Sequence, residues 1–90
     1  MKDLNKKGIG TQSIHAGNTK NKFGALASPI YQTSTFVFDN IEQGQARFLG
    51  EEEGYIYSRT TNPTVTVAEE KIAMLENGEG AIGTGSGMGA

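Results

Sequence analysis

Apolar residues at Val65, Ala68, Ile72 and Leu75 alternate with Thr66, Glu69, Glu70 and Glu76, the one-sided pattern of an amphipathic helix. Asn62 is a favoured N-cap, and Pro63 suits the first helical position, where its missing N–H would have no intrahelical partner anyway. Asn77-Gly78 stops the helix, and Ala81 to Thr84 then reads as a short strand of small residues suited to a buried central position. Upstream, Ser28-Pro29-Ile30-Tyr31-Gln32-Thr33-Ser34-Thr35-Phe36-Val37-Phe38 is rich in β-branched and aromatic residues and predicts extended backbone. Its polar and apolar positions do not alternate cleanly, so an arm lying on another surface fits as well as a strand. Phe36 and Phe38 share one face of it as packing anchors.

Shorter elements fill the remainder. Thr11 to Ala16 predicts a helical turn with Thr11 as N-cap and Gly17 as stop, and Asp39 is placed to cap a helix over Ile41 to Phe48, ended by Gly50. Gly44 weakens that helix by roughly 1 kcal/mol relative to alanine. Residues 1–8 read as a mobile lead, Asn18 to Leu26 as loop, and Glu51-Glu52-Glu53 as a solvated acidic run.

Composition narrows the picture. A 90-residue chain with 13 glycines and 36% hydrophobic residues has little from which to build a core. It has no cysteine, so no disulfide compensates, and a reducing, cytoplasmic setting is expected. Eight basic and ten acidic residues give a net charge of −2 with no basic footprint for nucleic acid. No apolar run approaches a signal sequence or a membrane span. The single histidine, His15, reads as a structural or surface residue, since one histidine without cysteine does not make a zinc site. Because Ala81 to Ala90 closes on a glycine-rich turn, the chain is expected to continue as a longer α/β protein.

Two stretches carry chemistry. In Gly54-Tyr55-Ile56-Tyr57-Ser58-Arg59, Tyr57 and Arg59 are two apart and would share a face of an extended segment. A planar guanidinium beside a rigid phenol suits a phosphate. Pairing of Arg59 with the acidic run at Glu51 to Glu53, with the tyrosines merely packing, is the competing reading. In Ser86-Gly87-Met88-Gly89, glycine lets consecutive backbone N–H groups approach an anion. The dinucleotide fingerprint fails there, because position 88 is methionine, and so does the P-loop pattern, so spacing leaves a phosphate cup and a plain tight turn both open.

Tyr57-Ser58-Arg59, Asn62-Pro63-Thr64 and Ser86-Gly87-Met88-Gly89-Ala90, with Ser28 to Phe36 and Thr11 to Gly17 ahead of them, resemble the amino-terminal part of the Cys/Met-metabolism family of pyridoxal-phosphate enzymes. The likeness runs from about residue 9 to 90 with its motifs in order. It implies an α/β fold: an extended arm over residues 1–61 that reaches a neighbouring subunit, then, over 62–90, the first helix and strand of a fold type I cofactor domain. It implies that Tyr57 and Arg59 bind the phosphate of the neighbour's pyridoxal phosphate, with Tyr57 near the reacting amino acid, while the N–H groups of Gly87 and Met88 bind that of the chain's own. The family's Schiff-base lysine, pyridine-pairing aspartate, ring-stacking tyrosine and carboxylate-gripping arginine lie farther along, so no catalytic residue and no metal ligand is expected here, and the segment alone should be inactive. None of Lys2, Lys6, Lys7, Lys20, Lys22 or Lys71 matches the family's lysine.

Gly54 to Arg59 and Gly87 to Ala90 are most similar to those members that perform γ-elimination on methionine, giving a thiol, a 2-oxo acid and ammonia. Cystathionine lyases and synthases and the sulfhydrylases of O-acetylhomoserine come next. The resemblance also implies a homotetramer, a dimer of dimers with shared active sites, binding a sulfur amino acid and neither nucleic acid nor membrane. A non-catalytic oligomerisation module is the alternative from a different class.

Overall fold

The computed structural model describes residues 3–90 and contains three α-helices: α1 (Ile9–His15), α2 (Ile41–Phe48) and α3 (Pro63–Leu75). Two 3₁₀ turns, Leu4–Lys6 and Gly87–Gly89, complete the regular structure. Only one β-bridge, Thr35 with Tyr57, occurs among the described residues. The chain divides into two compact units, Ile30–Pro63 and the combination of Met1–Pro29 with Thr64–Ala90.

In the discontinuous unit, α1 begins earlier than the sequence predicts. Its N-cap is Gly8, with no side-chain cap, and Thr11 lies inside the helix. Gln12 N–H reaches Gly8 O at 3.0 Å, which extends the ladder past the residue that looked like a cap. Gln12 also donates through Nε2 to Leu4 O at 3.0 Å, so Leu4–Lys6 is a turn tied to α1 rather than a loose lead. Met1 and Lys2 of that lead lie outside the described residues.

The C-terminus of α1 is secured from α3. Lys71 Nζ donates to Ile14 O and Ala16 O, each at 2.8 Å, and to Asn18 Oδ1 at 3.1 Å. An ammonium there meets both the orphan carbonyls and the negative end of the helix dipole. Gly17, at φ 75°, lies so close to α3 that a Cβ would meet Val67 O at 2.8 Å. Ala16, 1% exposed, is the one buried hydrophobic residue among those described.

Helix α3 matches its predicted bounds. Its end is a Schellman arrangement: Gly78 N–H bonds Ala73 O at 2.8 Å and Asn77 N–H bonds Met74 O at 3.2 Å. Asn77, at φ 54°, takes the left-handed position. The apolar stripe is where expectation and structure part: Val65, Ala68 and Ile72 are exposed, while Val67, Lys71 and Met74 on the other side are half-buried. Among the described residues nothing covers the stripe. For the same reason Ala81 to Thr84 forms no strand ladder: Gly83 N–H goes instead to Glu69 Oε2 at 2.6 Å, and Ile82 is exposed.

In the Ile30–Pro63 unit, α2 is capped by Asn40 rather than Asp39. The Asn40 Oδ1 accepts from Gln43 N–H at 2.7 Å, and Gln43 Oε1 accepts in return from Asp39 N–H at 2.7 Å. This is a capping box whose return bond lands one residue early. Gly50, at φ 75°, follows the helix end as expected. Gly44 is buried because the Phe38 ring lies on it, and a Cβ there would meet the ring at 2.8 Å. Phe36 packs on Tyr55 with ring centroids 5.5 Å apart. Both phenylalanines therefore serve as the anchors their spacing suggests.

Candidate functional site

The Tyr57 segment is positioned by backbone pairing. Phe36 N–H bonds Ile56 O at 3.0 Å and Ser58 N–H bonds Ser34 O at 2.8 Å, which sets Thr35 opposite Tyr57 as an antiparallel non-hydrogen-bonded pair. The chain then turns back at once. Thr60 N–H, Thr61 N–H and Thr60 Oγ1 all donate to Tyr57 O, at 3.0, 3.1 and 2.8 Å. So the extended geometry expected for Tyr57 and Arg59 holds only at Tyr57, and a turn brings Arg59 beside it. The Arg59 guanidinium carbon lies 5.3 Å from the Tyr57 ring centroid. Stacking of this kind at an exposed site is worth about 0.5–1 kcal/mol.

The competing reading, an ion pair to the acidic run, is realised by the other arginine. Arg47 Nε meets Glu52 Oε2 at 3.3 Å, its Nη1 donates to Tyr55 O at 3.2 Å, and its guanidinium lies over Phe38 at 5.4 Å. Gly54 makes room for it, since a Cβ there would meet the Arg47 side chain. The acidic run is thus only partly a solvated loop. Arg59, by contrast, is exposed and has neither an ion pair nor a hydrogen bond among the described residues. Its planar fork of donors is held on a ring and not neutralised by the chain. Beside it, an open cleft of about 680 Å³ is lined by Phe36, Phe38, Phe48, Ile56 and Tyr57, with Thr35, Arg59 and Thr60 as its polar members.

Gly87 and Met88 belong to the other unit. Ser86 caps their 3₁₀ turn, its Oγ accepting from Gly89 N–H at 3.2 Å, while Thr84 Oγ1 donates to Ser86 O at 2.9 Å. Gly89 N–H and Ala90 N–H close the turn on Ser86 O and Gly87 O. The N–H groups of Gly87 and Met88 have no acceptor among the described residues, as is usual for the first donors of a helical turn.

Tyr57 and Arg59 offer a phenol O–H and a guanidinium, and Gly87 and Met88, in the other unit, offer two amide N–H groups, all donors of the kind that suit a phosphate. Among the described residues no group of three His, Cys, Asp or Glu side chains could hold a metal ion, and His15 merely ends α1. Lys71 has all three of its N–H donors committed to α1 and its flank. No helix among the described residues is long and apolar enough to cross a membrane.

Two polar ties escape a reading of the sequence. Asn62, noted there only as a cap, sends its amide to Tyr31 O and Ser58 Oγ, and Glu69 reaches Gly83. A serine four residues before the asparagine is the one sequence signal for the first, and nothing local announces the second.

Comparison with known proteins adds a consistent set of relatives. The family model for Cys/Met metabolism PLP-dependent enzymes matches residues 10–90. The chain is 63% identical over 89 residues to an L-methionine gamma-lyase of Treponema denticola, covering 99% of this chain and 22% of the relative. It is 62% identical over 88 residues to an L-methionine gamma-lyase of Fusobacterium nucleatum, covering 98% of this chain and again 22% of the relative. The chain thus spans about a fifth of the length of these curated relatives. Among solved structures, a Campylobacter jejuni protein described as an O-acetylhomoserine (thiol)-lyase, carrying N′-pyridoxyl-lysine-5′-monophosphate, matches with a TM-score of 0.76 and 34% identity. That match covers 82% of this chain and 18% of the other.

Proposed function

The chain belongs to the Cys/Met metabolism PLP-dependent enzyme family, and from there we propose that it is the amino-terminal portion of a carbon–sulfur lyase that performs γ-elimination on L-methionine. The products are methanethiol, 2-oxobutanoate and ammonia. The single observation that carries the cofactor side of this reading is the Arg59 guanidinium, stacked on Tyr57 while Arg47 takes the available carboxylate. The methionine side is supported by identities above 60% to relatives that bear that activity in their names.

In this reading Tyr57 and Arg59 bind the phosphate of a neighbouring subunit's pyridoxal phosphate. Arg59 contributes charge-assisted hydrogen bonds and Tyr57 a neutral O–H on a residue whose backbone the Thr35 pairing positions. Gly87 and Met88 give their two N–H groups to the phosphate of the chain's own cofactor, at the start of a helical turn. When bound, the cofactor supplies the electron sink, and the protein supplies anchoring and orientation. Residues 1–61 act as an arm on the neighbour, and residues 62–90 open the cofactor domain. There Ala81 to Thr84 pairs with strands supplied by the rest of the protein, and the Val65–Ala68–Ile72 stripe is covered. The assembly is a cytoplasmic homotetramer with shared sites.

A second reading, sulfhydrylation of O-acetylhomoserine, is supported by the structural neighbour. Incubating the full-length protein with L-methionine decides between them. Release of methanethiol and 2-oxobutanoate supports the lyase. Consumption of O-acetylhomoserine with sulfide, and no thiol from methionine, supports the replacement enzyme.

A further inference from the structure

Asn62 is the one buried polar side chain among the described residues, 7% exposed. Its amide donates to Tyr31 O at 3.0 Å and to Ser58 Oγ at 2.8 Å. Ser58 passes the connection on, its hydroxyl donating to Thr33 O and its N–H to Ser34 O at 2.8 Å. These bonds fasten the segment Tyr31 to Ser34, just before the bridge, to the residue just before Arg59. On the other side of Arg59, Thr60 is pinned by its N–H and its hydroxyl to Tyr57 O. The backbone on both sides of Arg59 is therefore fixed by polar contacts, while the guanidinium itself makes no hydrogen bond among the described residues.

We propose that Asn62, acting through Ser58, is a positioning residue that sets the Tyr57–Arg59 turn for its contact with the phosphate. This rests on the reading of Arg59 as a phosphate ligand. A buried amide that donates one bond to Tyr31 O and one to Ser58 Oγ ties the two segments together through those donors, and replacing the amide nitrogen by oxygen sets it against both acceptors. Asn62→Asp has nearly the same shape and presents oxygens to both acceptors. Ser58→Ala removes the intermediate hydroxyl alone.

The test uses the full-length protein and compares dissociation constants for pyridoxal phosphate and for pyridoxal, which lacks the phosphate. In Asn62→Asp the preference for the phosphorylated form should fall about tenfold, with pyridoxal binding changed by less than about twofold. Ser58→Ala should shift the preference in the same direction, and it decides the matter if Asn62→Asp does not fold. In a background that lacks both phosphate groups of the turn, Tyr57→Phe with Arg59→Ala, neither substitution should lower the preference further. General structural damage would weaken both ligands in proportion and leave the preference intact, which overturns the proposal, as does a further fall in that double background. If Arg59→Ala itself leaves the preference unchanged, the reading of Arg59 fails. If it abolishes the preference while Asn62→Asp and Ser58→Ala do not touch it, only the positioning role fails.

Discussion

The guanidinium of Arg59 stacks on the ring of Tyr57 at 5.3 Å, two residues away along the chain but brought there by a turn and not by a strand. The chain's other arginine, Arg47, is committed to Glu52 and to Tyr55 O. One arginine holds the fold and the other is presented. The predictions below follow from that division and from the contacts around it.

Arg47 and Glu52 should matter unequally. Their ion pair is partly exposed, at 18% and 45% of the side chains, so Glu52→Gln should cost under about 1 kcal/mol. Arg47→Met also loses the bond to Tyr55 O and the contact with Phe38, and should cost about 1–3 kcal/mol. Denaturant unfolding of the two variants checks the order. Neither substitution should alter affinity for pyridoxal phosphate.

Gly44→Ala would gain about 1 kcal/mol of helix propensity in an isolated helix. Here the added methyl meets the Phe38 ring at 2.8 Å, and overpacking of this kind costs about 1–3 kcal/mol. The net change should be destabilising, and pairing it with Phe38→Leu should recover part of the loss. A double-mutant cycle on the melting temperature of the full-length protein measures that coupling.

Lys71→Met deletes three hydrogen bonds that end α1; Ile14 O keeps its bond from Asn18 Nδ2 and Asn18 Oδ1 its bond from Ser28 Oγ, while Ala16 O loses the lysine donor. It should lower stability by about 1–3 kcal/mol. Since Lys71 is fully engaged structurally, the visible absorbance of the lysine-linked cofactor in the full-length protein should survive the change. Loss of that absorbance with the fold intact would reverse this assignment.

The 90-residue chain by itself should not melt cooperatively. Ala16 is the only buried hydrophobic residue among those described, and Ile9, Phe23, Leu26, Val37, Ile41, Phe48 and Ile82 are all exposed. A core this small leaves little to offset conformational entropy. Calorimetry of the isolated chain should show no sharp transition, and a single steep one would contradict the exposure seen here.

Local signals in the sequence were reliable wherever the controlling contact is local. The bounds of α2 and α3 and the Asn77-Gly78 stop follow from periodicity and turn residues, while the run ending at Phe38 contributes only the Thr35 bridge. Cap positions slipped: Asn40 in place of its neighbour Asp39 accepts from Gln43 N–H, and α1 runs back past Thr11 through the bond from Gln12 N–H to Gly8 O. Which arginine meets the acidic run was not legible, since it depends on α2 folding back toward residues 52–55. The Val65–Ala68–Ile72 stripe and the Ala81 to Thr84 strand pattern meet no covering layer among the described residues, so the amphipathic signal is present without its layer. For the site, the pairing of Tyr57 with Arg59 was legible. Its support by Asn62 and Ser58 was not, because a side-chain amide reaching 31 residues back to Tyr31 leaves no periodic trace.

Subunit mixing tests most directly whether Tyr57 and Arg59 serve one subunit's cofactor while Gly87 and Met88 serve another's. Full-length chains carrying Arg59→Ala and full-length chains carrying Gly87→Pro, which removes one of the two turn N–H groups, should each be nearly inactive alone. Co-assembled, they should regain activity, because a mixed pair contains one site with both sets of groups intact. No recovery above the separate variants, in mixed assemblies shown to form, would mean that the two sets act in the same subunit's site and would contradict the account.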